Sequence, residues 1–211
     1  MLFVSHLSKS FNRRSVLKNI TFDITAGETI VIMGKNGAGK SILLRIIARI
    51  MACDKGSVKF QNHDLLKGVP VIRKDLLYLG HAPAMYSGLS AMENLSLTLQ
   101  LRGTPVLEEE IIKVLDQYGL LQQKDDPITI YSQGMLQRLK LTYAELAQWS
   151  LLLMDEPFSG LDDDGTAQMH TALIQWKSEG KTMCLVLHDE AMATKYGDRI
   201  LRLKNGQIQT Y

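Results

Sequence analysis

Residues 34–41, GKNGAGKS, combine three glycines, two lysines and a serine in an order that suits a chain of phosphates. Gly34, Gly37 and Gly39 let the backbone turn so that successive N–H groups converge on phosphate oxygens. Lys40 brings a point charge to the outer phosphates, and the Ser41 hydroxyl is a ligand for Mg²⁺. Lys35, Asn36 and Ala38 complete the loop, and Ile42 leads into an apolar helix whose N-terminus adds its positive dipole end. The loop matches the P-loop pattern, with the β-type run TIVIM before it and the helix after it.

Two further stretches carry chemistry. LLLMDEP sets Asp155 and Glu156 just past an apolar run, and TMCLVLHD does the same with His188. In an open parallel sheet, ligands collect outside the carboxyl ends of the strands, so three strands would deliver these groups to one edge. Mg²⁺ takes a few hard oxygens and keeps waters, a demand that Ser41 and Asp155 meet together with phosphate oxygens. Glu156 is then available to accept a proton from an attacking water or to orient it, with His188 between that water and the terminal phosphate. The set points to nucleotide hydrolysis.

The elements that must position these residues follow from hydrophobic patterning. LFVSHL and ITFDI alternate apolar and polar residues as strands, with a turn-rich SKSFNRRS between them. TIVIM (29–33), LLLM (151–154) and TMCLVL (182–187) are continuous runs of the kind buried on both faces; GSVKF and LLYLG read as further strands. A helix is expected over 42–50, and a longer one over 163–178 that opens on Asp162, Asp163 and Asp164 and stops at Gly180. From about residue 82 the spacing is helical: SAMENLSLTLQLRG, LEEEIIKVLDQYGL and GMLQRLKLTYAELAQW, the last with Leu136, Leu139, Tyr143 and Leu146 on one face. The tail turns back on itself at Asn205-Gly206 as a hairpin.

One stretch, YSQGMLQR (131–138), has a turn-like front and a helix behind it, yet no acid, histidine or cysteine. Taken with the rest it becomes recognisable. GKNGAGKS resembles Walker A, YSQGMLQR the signature motif, LLLMDE Walker B, SGLD (159–162) the D-loop and His188 the switch histidine of the ATP-binding cassette (ABC) family. The motifs stand in that family's order, and the likeness runs over essentially the whole chain. It implies an α/β P-loop NTPase cassette: a mixed-sheet core at 1–81 and 149–211 with an N-terminal antiparallel β region, and an inserted helical subdomain at 82–148. It also implies ATP with Mg²⁺, a head-to-tail dimer with a second copy or a homologous cassette, and separate integral membrane transporter subunits. Ser132, Gln133 and Gly134 would then have nothing to hold in their own chain, because their ligand is the ATP bound to the partner. Phe11 stands where the family stacks an aromatic on adenine, and Val16 where it touches base or ribose. Read alone, Phe11 is an ordinary core aromatic and Ser132 a helix cap. His81 occupies the place of the Q-loop glutamine, a sensor of Mg²⁺ and the attacking water, and Gln133 and Met135 replace the usual glycine and glutamine. YLGHAPAMYSGLSAMENL resembles the ATP-binding subunits of cytochrome c maturation, which are haem exporters.

Composition narrows the partners. The 211 residues carry 24 basic and 22 acidic side chains, a net charge of +2 with both signs dispersed, which does not suit nucleic acid. Cys53 and Cys184 lack metal-type spacing and read as reduced, buried thiols of a cytosolic protein. No signal peptide is evident, and ILLRIIARIMAC is too short and too charged to cross a bilayer. The expected location is the cytoplasm, at the inner face of the membrane. Pro83, Met85, Tyr86 and Leu89 form an apolar cluster suited to a membrane partner's coupling helix or, equally, to internal packing of the inserted helices. A soluble assembly ATPase, for example in iron–sulfur cluster biogenesis, and a nucleotide sensor with little turnover are the competing readings.

Overall fold

The computed structural model describes residues 1–67, 74–82 and 84–209. Its backbone contacts divide the chain into two compact units: Met1–Gly80 with Ser150–Glu156 and Ile174–Tyr211, and His81–Trp149 with Pro157–Leu173.

The first unit holds two sheets. One is antiparallel, with β2 (Arg14–Ile24), β1 (Leu2–Phe11), β4 (Lys55–Phe60) and β5 (His63–Asp64) side by side in that order. The other runs β10 (Gln207–Gln209), β9 (Arg199–Lys204), β3 (Thr29–Met33), β8 (Thr182–Val186), β7 (Leu151–Asp155), β6 (Leu76–Leu79). All of its pairings are parallel except β10 with β9, so the sheet is mixed. Every residue of β3, β7 and β8 is buried, as continuous apolar runs require. Side-chain alternation then sorts the core. Ile30, Ile32, Leu151, Leu153, Cys184 and Val186 share one face with Leu43, Leu44, Ile46 and Ile47 of helix α1 (Lys40–Ile47) and with Leu2, Leu17 and Phe60 of the antiparallel sheet. Helix α6 (Glu190–Tyr196) packs along β3.

Four expectations are corrected here. The turn between the first strands is only Asn12-Arg13, both left-handed at φ 46° and 64°, and the strands run on to either side of it. Simple alternation also fails in both. The buried positions step from Val4 to Leu7 and from Leu17 to Ile20, because bulges at His6 and Asn19 re-phase the strands. The two bulged residues bond to each other, Nδ1 of His6 to Oδ1 of Asn19 at 2.7 Å. Helix α1 is shifted from the expected 42–50. It starts at Lys40 and stops at Ile47, where Arg49 turns left-handed (φ 58°) and the N–H of Ile50 closes on the Arg45 carbonyl. Cys184 is fully buried, whereas Cys53 is only half-buried.

The second unit contains α2 (Ala91–Arg102), α3 (Glu108–Gln117) and α4 (Gln133–Leu146); helix α5 (Asp163–Ser178) begins in it. Ser90 and Glu93 form a capping box at the start of α2, and Asp162 accepts from the Gly165 N–H at the start of α5. Helix α4 is buried around more of its circumference than one face. Leu139 and Leu146 are covered, Leu136 and Tyr143 only partly, and the polar Gln137, Lys140 and Thr142 are buried as well. Pro83 lies outside the described residues; Tyr86 is exposed, and Met85 and Leu89 are half-buried. Among the described residues no helix is long and apolar enough to cross a membrane.

Candidate functional site

Strand register brings the chemistry together. Ile32 of β3 lies opposite Val186 of β8, and Val186 lies opposite Asp155 of β7. The loop after β3 and the carboxylates after β7 therefore leave one sheet edge two strand spacings apart, about 10 Å, with His188 two residues past the end of the strand between them.

The loop itself is held tightly from below. A Cβ on Gly34 would lie 2.4 Å from the backbone carbonyl oxygen of Leu203, a distance no side chain tolerates, so glycine is required there. Gly39 (φ 105°) ends the loop as the N-cap of α1, without a side-chain cap and without an acid in the helix's first turn. The first N–H groups of α1 are thus left for a ligand, at the positive end of the helix dipole. Lys40 and Ser41 stand on that first turn. The Lys40 ammonium folds back over the loop, donating to the carbonyls of Gly34 (2.9 Å) and Lys35 (3.2 Å). Burial lowers its pKa below the ordinary lysine value, and the nearby Glu156 and Asp155 carboxylates oppose the shift.

Asp155 ends β7 and is 4% exposed, and its Oδ1 has no hydrogen-bond partner among the described residues. An unmatched buried carboxylate oxygen is costly, which fits a site where a water or a cation completes the shell. No cluster of three or more His, Cys, Asp or Glu suited to a metal occurs among the described residues. One carboxylate, Asp155, and one hydroxyl, Ser41, would suit Mg²⁺, which takes its other oxygens from phosphate and water. Glu156 follows with φ 52°, an unfavourable conformation for a side chain of its size and one that recurs at active sites. Its Oε1 lies 2.7 Å from Nε2 of His188, a hydrogen bond that requires the proton on Nε2. Such a pair can orient a water and move its proton.

Beside the loop is an open groove of about 1230 Å³, lined by Val16, Gly34, Lys35, Asn36, Gly37, Ala38 and Ile42. Its opposite wall was not legible in the sequence: Arg14 and Lys18 of β2, and Lys204, Asn205 and Gly206 of the β9–β10 hairpin. The hairpin is pinned there by the Lys18 N–H donating to the Gly206 carbonyl at 2.7 Å. Only the excess of positive charge near the chain's end hinted at it. Phe11 is not part of that lining. It is 41% exposed at the end of β1, with the Lys9 ammonium 5.2 Å from its ring centroid.

In the second unit, Ser132 is the N-cap of α4 and accepts from the N–H of Met135 at 3.2 Å. The expectation that it holds nothing in its own chain is corrected: its oxygen caps its own helix, while its O–H can still donate. Ser132 and Gln133 are exposed and Gly134 half-buried, with room for a Cβ on Gly134 limited by the Gly160 carbonyl at 3.1 Å. His81 is exposed, and its carbonyl accepts from Lys140 at 2.7 Å.

A family model described as ABC transporter matches residues 17–159. The chain belongs to the ABC transporter family. The cytochrome c biogenesis ATP-binding export protein CcmA of Vibrio parahaemolyticus is 32% identical over 92% of this chain and 94% of its own length. The molybdate/tungstate import ATP-binding protein WtpC of Thermococcus kodakarensis is also 32% identical, over 99% of this chain and 63% of its own. Among solved structures, a dimeric bacterial ABC transporter cassette superposes with a TM-score of 0.89 at 25% identity, covering 99% of this chain and 97% of that one. This chain is an ABC ATPase, an ATP-binding subunit of the transporter type.

Proposed function

We propose that this ABC ATPase works at the inner face of the cell membrane, in the cytoplasm, driving export through separate integral membrane subunits, with haem in cytochrome c maturation as the cargo. The observation that carries the hydrolytic part is the Glu156–His188 hydrogen bond of 2.7 Å at the sheet edge that also presents Lys40 and the buried, unmatched Asp155 oxygen. The likeness to CcmA over 92% of the chain supports the export part.

In this reading the N–H groups of Gly34–Ser41 cradle the β- and γ-phosphates, and the Lys40 ammonium leaves the Gly34 and Lys35 carbonyls to meet them. Ser41 and Asp155 would hold Mg²⁺, and His81 would take the sensing role of the Q-loop residue whose place it occupies. Mg²⁺ held by Ser41 and Asp155 would supply positive charge against the charge that develops on the phosphates. Glu156 takes the proton of the attacking water, and His188 holds both the carboxylate and the γ-phosphate in line. Val16 and Ile42 contact the nucleoside, and Phe11 stacks on the base from the rim. Residues 82–148 form the helical subdomain. Its Ser132, Gln133 and Gly134 act on the γ-phosphate held by a second copy, or by a homologous cassette, packed head to tail.

The test is Mg²⁺-dependent phosphate release by the purified chain. Glu156→Gln should lower kcat by about 10²–10⁴-fold, the range for a lost general base, with nucleotide affinity retained. Lys40→Ala should weaken nucleotide binding itself, and chelation of Mg²⁺ should abolish turnover while the fold persists. Full turnover in Glu156→Gln would contradict the assignment. Co-purification with a membrane subunit carrying hydrophobic spans tests the transport part; its absence from native membranes would favour a soluble assembly ATPase.

A further inference from the structure

Helix α4 carries two polar side chains that the proposed chemistry does not use, and both are buried. Lys140 is 4% exposed and Gln137, one turn earlier, 6%. The Lys140 ammonium donates to the His81 carbonyl at 2.7 Å and to Oε1 of Gln137 at 3.0 Å. The Gln137 amide donates in turn to the Pro157 carbonyl at 2.6 Å. A buried ammonium is costly unless its donors are matched, so this small network holds its members firmly in place.

The two carbonyls it grips are not ordinary positions. His81 is the first residue of the second unit after the chain leaves β6, and Pro157 is the first after the chain leaves β7 and Glu156. A third crossing, Trp149, is fixed to the far end of the same helix by its indole N–H, which donates to the Ala144 carbonyl at 2.9 Å. At the other end of α4 stands its N-cap, Ser132.

We infer that Gln137 and Lys140 are positioning residues that clamp to α4 the two segments entering the second unit from β6 and β7. The signature residues at the helix's N-terminus are thereby obliged to move with the segment that follows Glu156 and with His81. This rests on the proposed shared-site ATPase, and it adds a function to Gln137, at the end of the signature stretch, and to Lys140 beyond it. Loss of the clamp leaves the P-loop intact. It uncouples the signature end of α4 from the segment after the catalytic carboxylate.

The experiment compares Lys140→Met, Gln137→Leu and the double variant with the parent chain in steady-state ATPase and in equilibrium titration with a labelled ATP analogue. The clamp predicts nucleotide affinity and KM within about twofold of the parent and kcat lowered about tenfold in each single variant. The double variant should be no slower than the worse single one, because both act through one network. Lys140→Arg, which keeps the donors, should recover most of the lost kcat, a rescue that a purely structural role measured by Tm would not produce. Parent-like kcat in Lys140→Met, or losses that multiply in the double variant, overturns the clamp. Should Lys140→Met fail to fold, Gln137→Leu, which leaves the charge hydrogen-bonded to His81, decides in its place, and parent-like kcat there overturns the clamp equally. A parent chain without Mg-ATP turnover would overturn the ATPase reading instead, so the two failures are distinguishable.

Discussion

Gly34 shows how one atom constrains the phosphate loop. With the Leu203 carbonyl oxygen 2.4 Å from the position of a Cβ, any side chain must push the loop off the β9 strand beneath it. Gly34→Ala is therefore expected to cost about 1–3 kcal/mol of stability and to weaken ATP binding at least about tenfold, or about 1.4 kcal/mol, measured by denaturant melts and nucleotide titration. Parent-like affinity in a folded Gly34→Ala chain would contradict this account of the loop. At this scale the sequence is legible where chemistry restricts residue type. Lys40, Ser41, Asp155, Glu156 and His188 could be singled out because few side chains bind phosphate, carry Mg²⁺ or move a proton. Gln137 and Lys140 could not. A glutamine and a lysine in mid-helix look like surface residues, and their burial depends on carbonyls 20 and 59 residues away.

Among the elements, strands buried on both faces and helices with strong end signals were readable in advance, because each follows from local patterning. The bulges at His6 and Asn19 were not, since they exist only when two strands meet in register. The end of α1 was missed for a related reason. Arg49 is a good helix former by propensity, yet it turns left-handed (φ 58°) where the Ile50 N–H closes on the Arg45 carbonyl. Two caps at helix starts separate stability from function. Ser90→Ala at α2 and Ser132→Ala at α4 each remove a side-chain acceptor from a helix N-terminus. Each should cost about 1 kcal/mol, or about 2–4 °C in Tm for a chain of this size. Only Ser132→Ala should also lower kcat, by about 10²-fold or about 2.7 kcal/mol, as for loss of a donor to a developing charge. Equal ATPase losses in both variants would reduce Ser132 to a cap and nothing more.

For the whole molecule, the division into two units separates two sets of residues. The P-loop, Asp155, Glu156 and His188 belong to the first unit, and Ser132, Gln133, Gly134 and His81 to the second. The proposed shared chamber would draw the first set from one copy and the signature residues from another. The central claim is that trapped ATP holds two chains together. Sedimentation velocity of Glu156→Gln with saturating Mg-ATP, run beside the same protein without nucleotide, measures it most directly. The account predicts a shift from one chain to a long-lived species of two, lost again when Gly134→Asp is added; a single-chain boundary at every Mg-ATP concentration would contradict it.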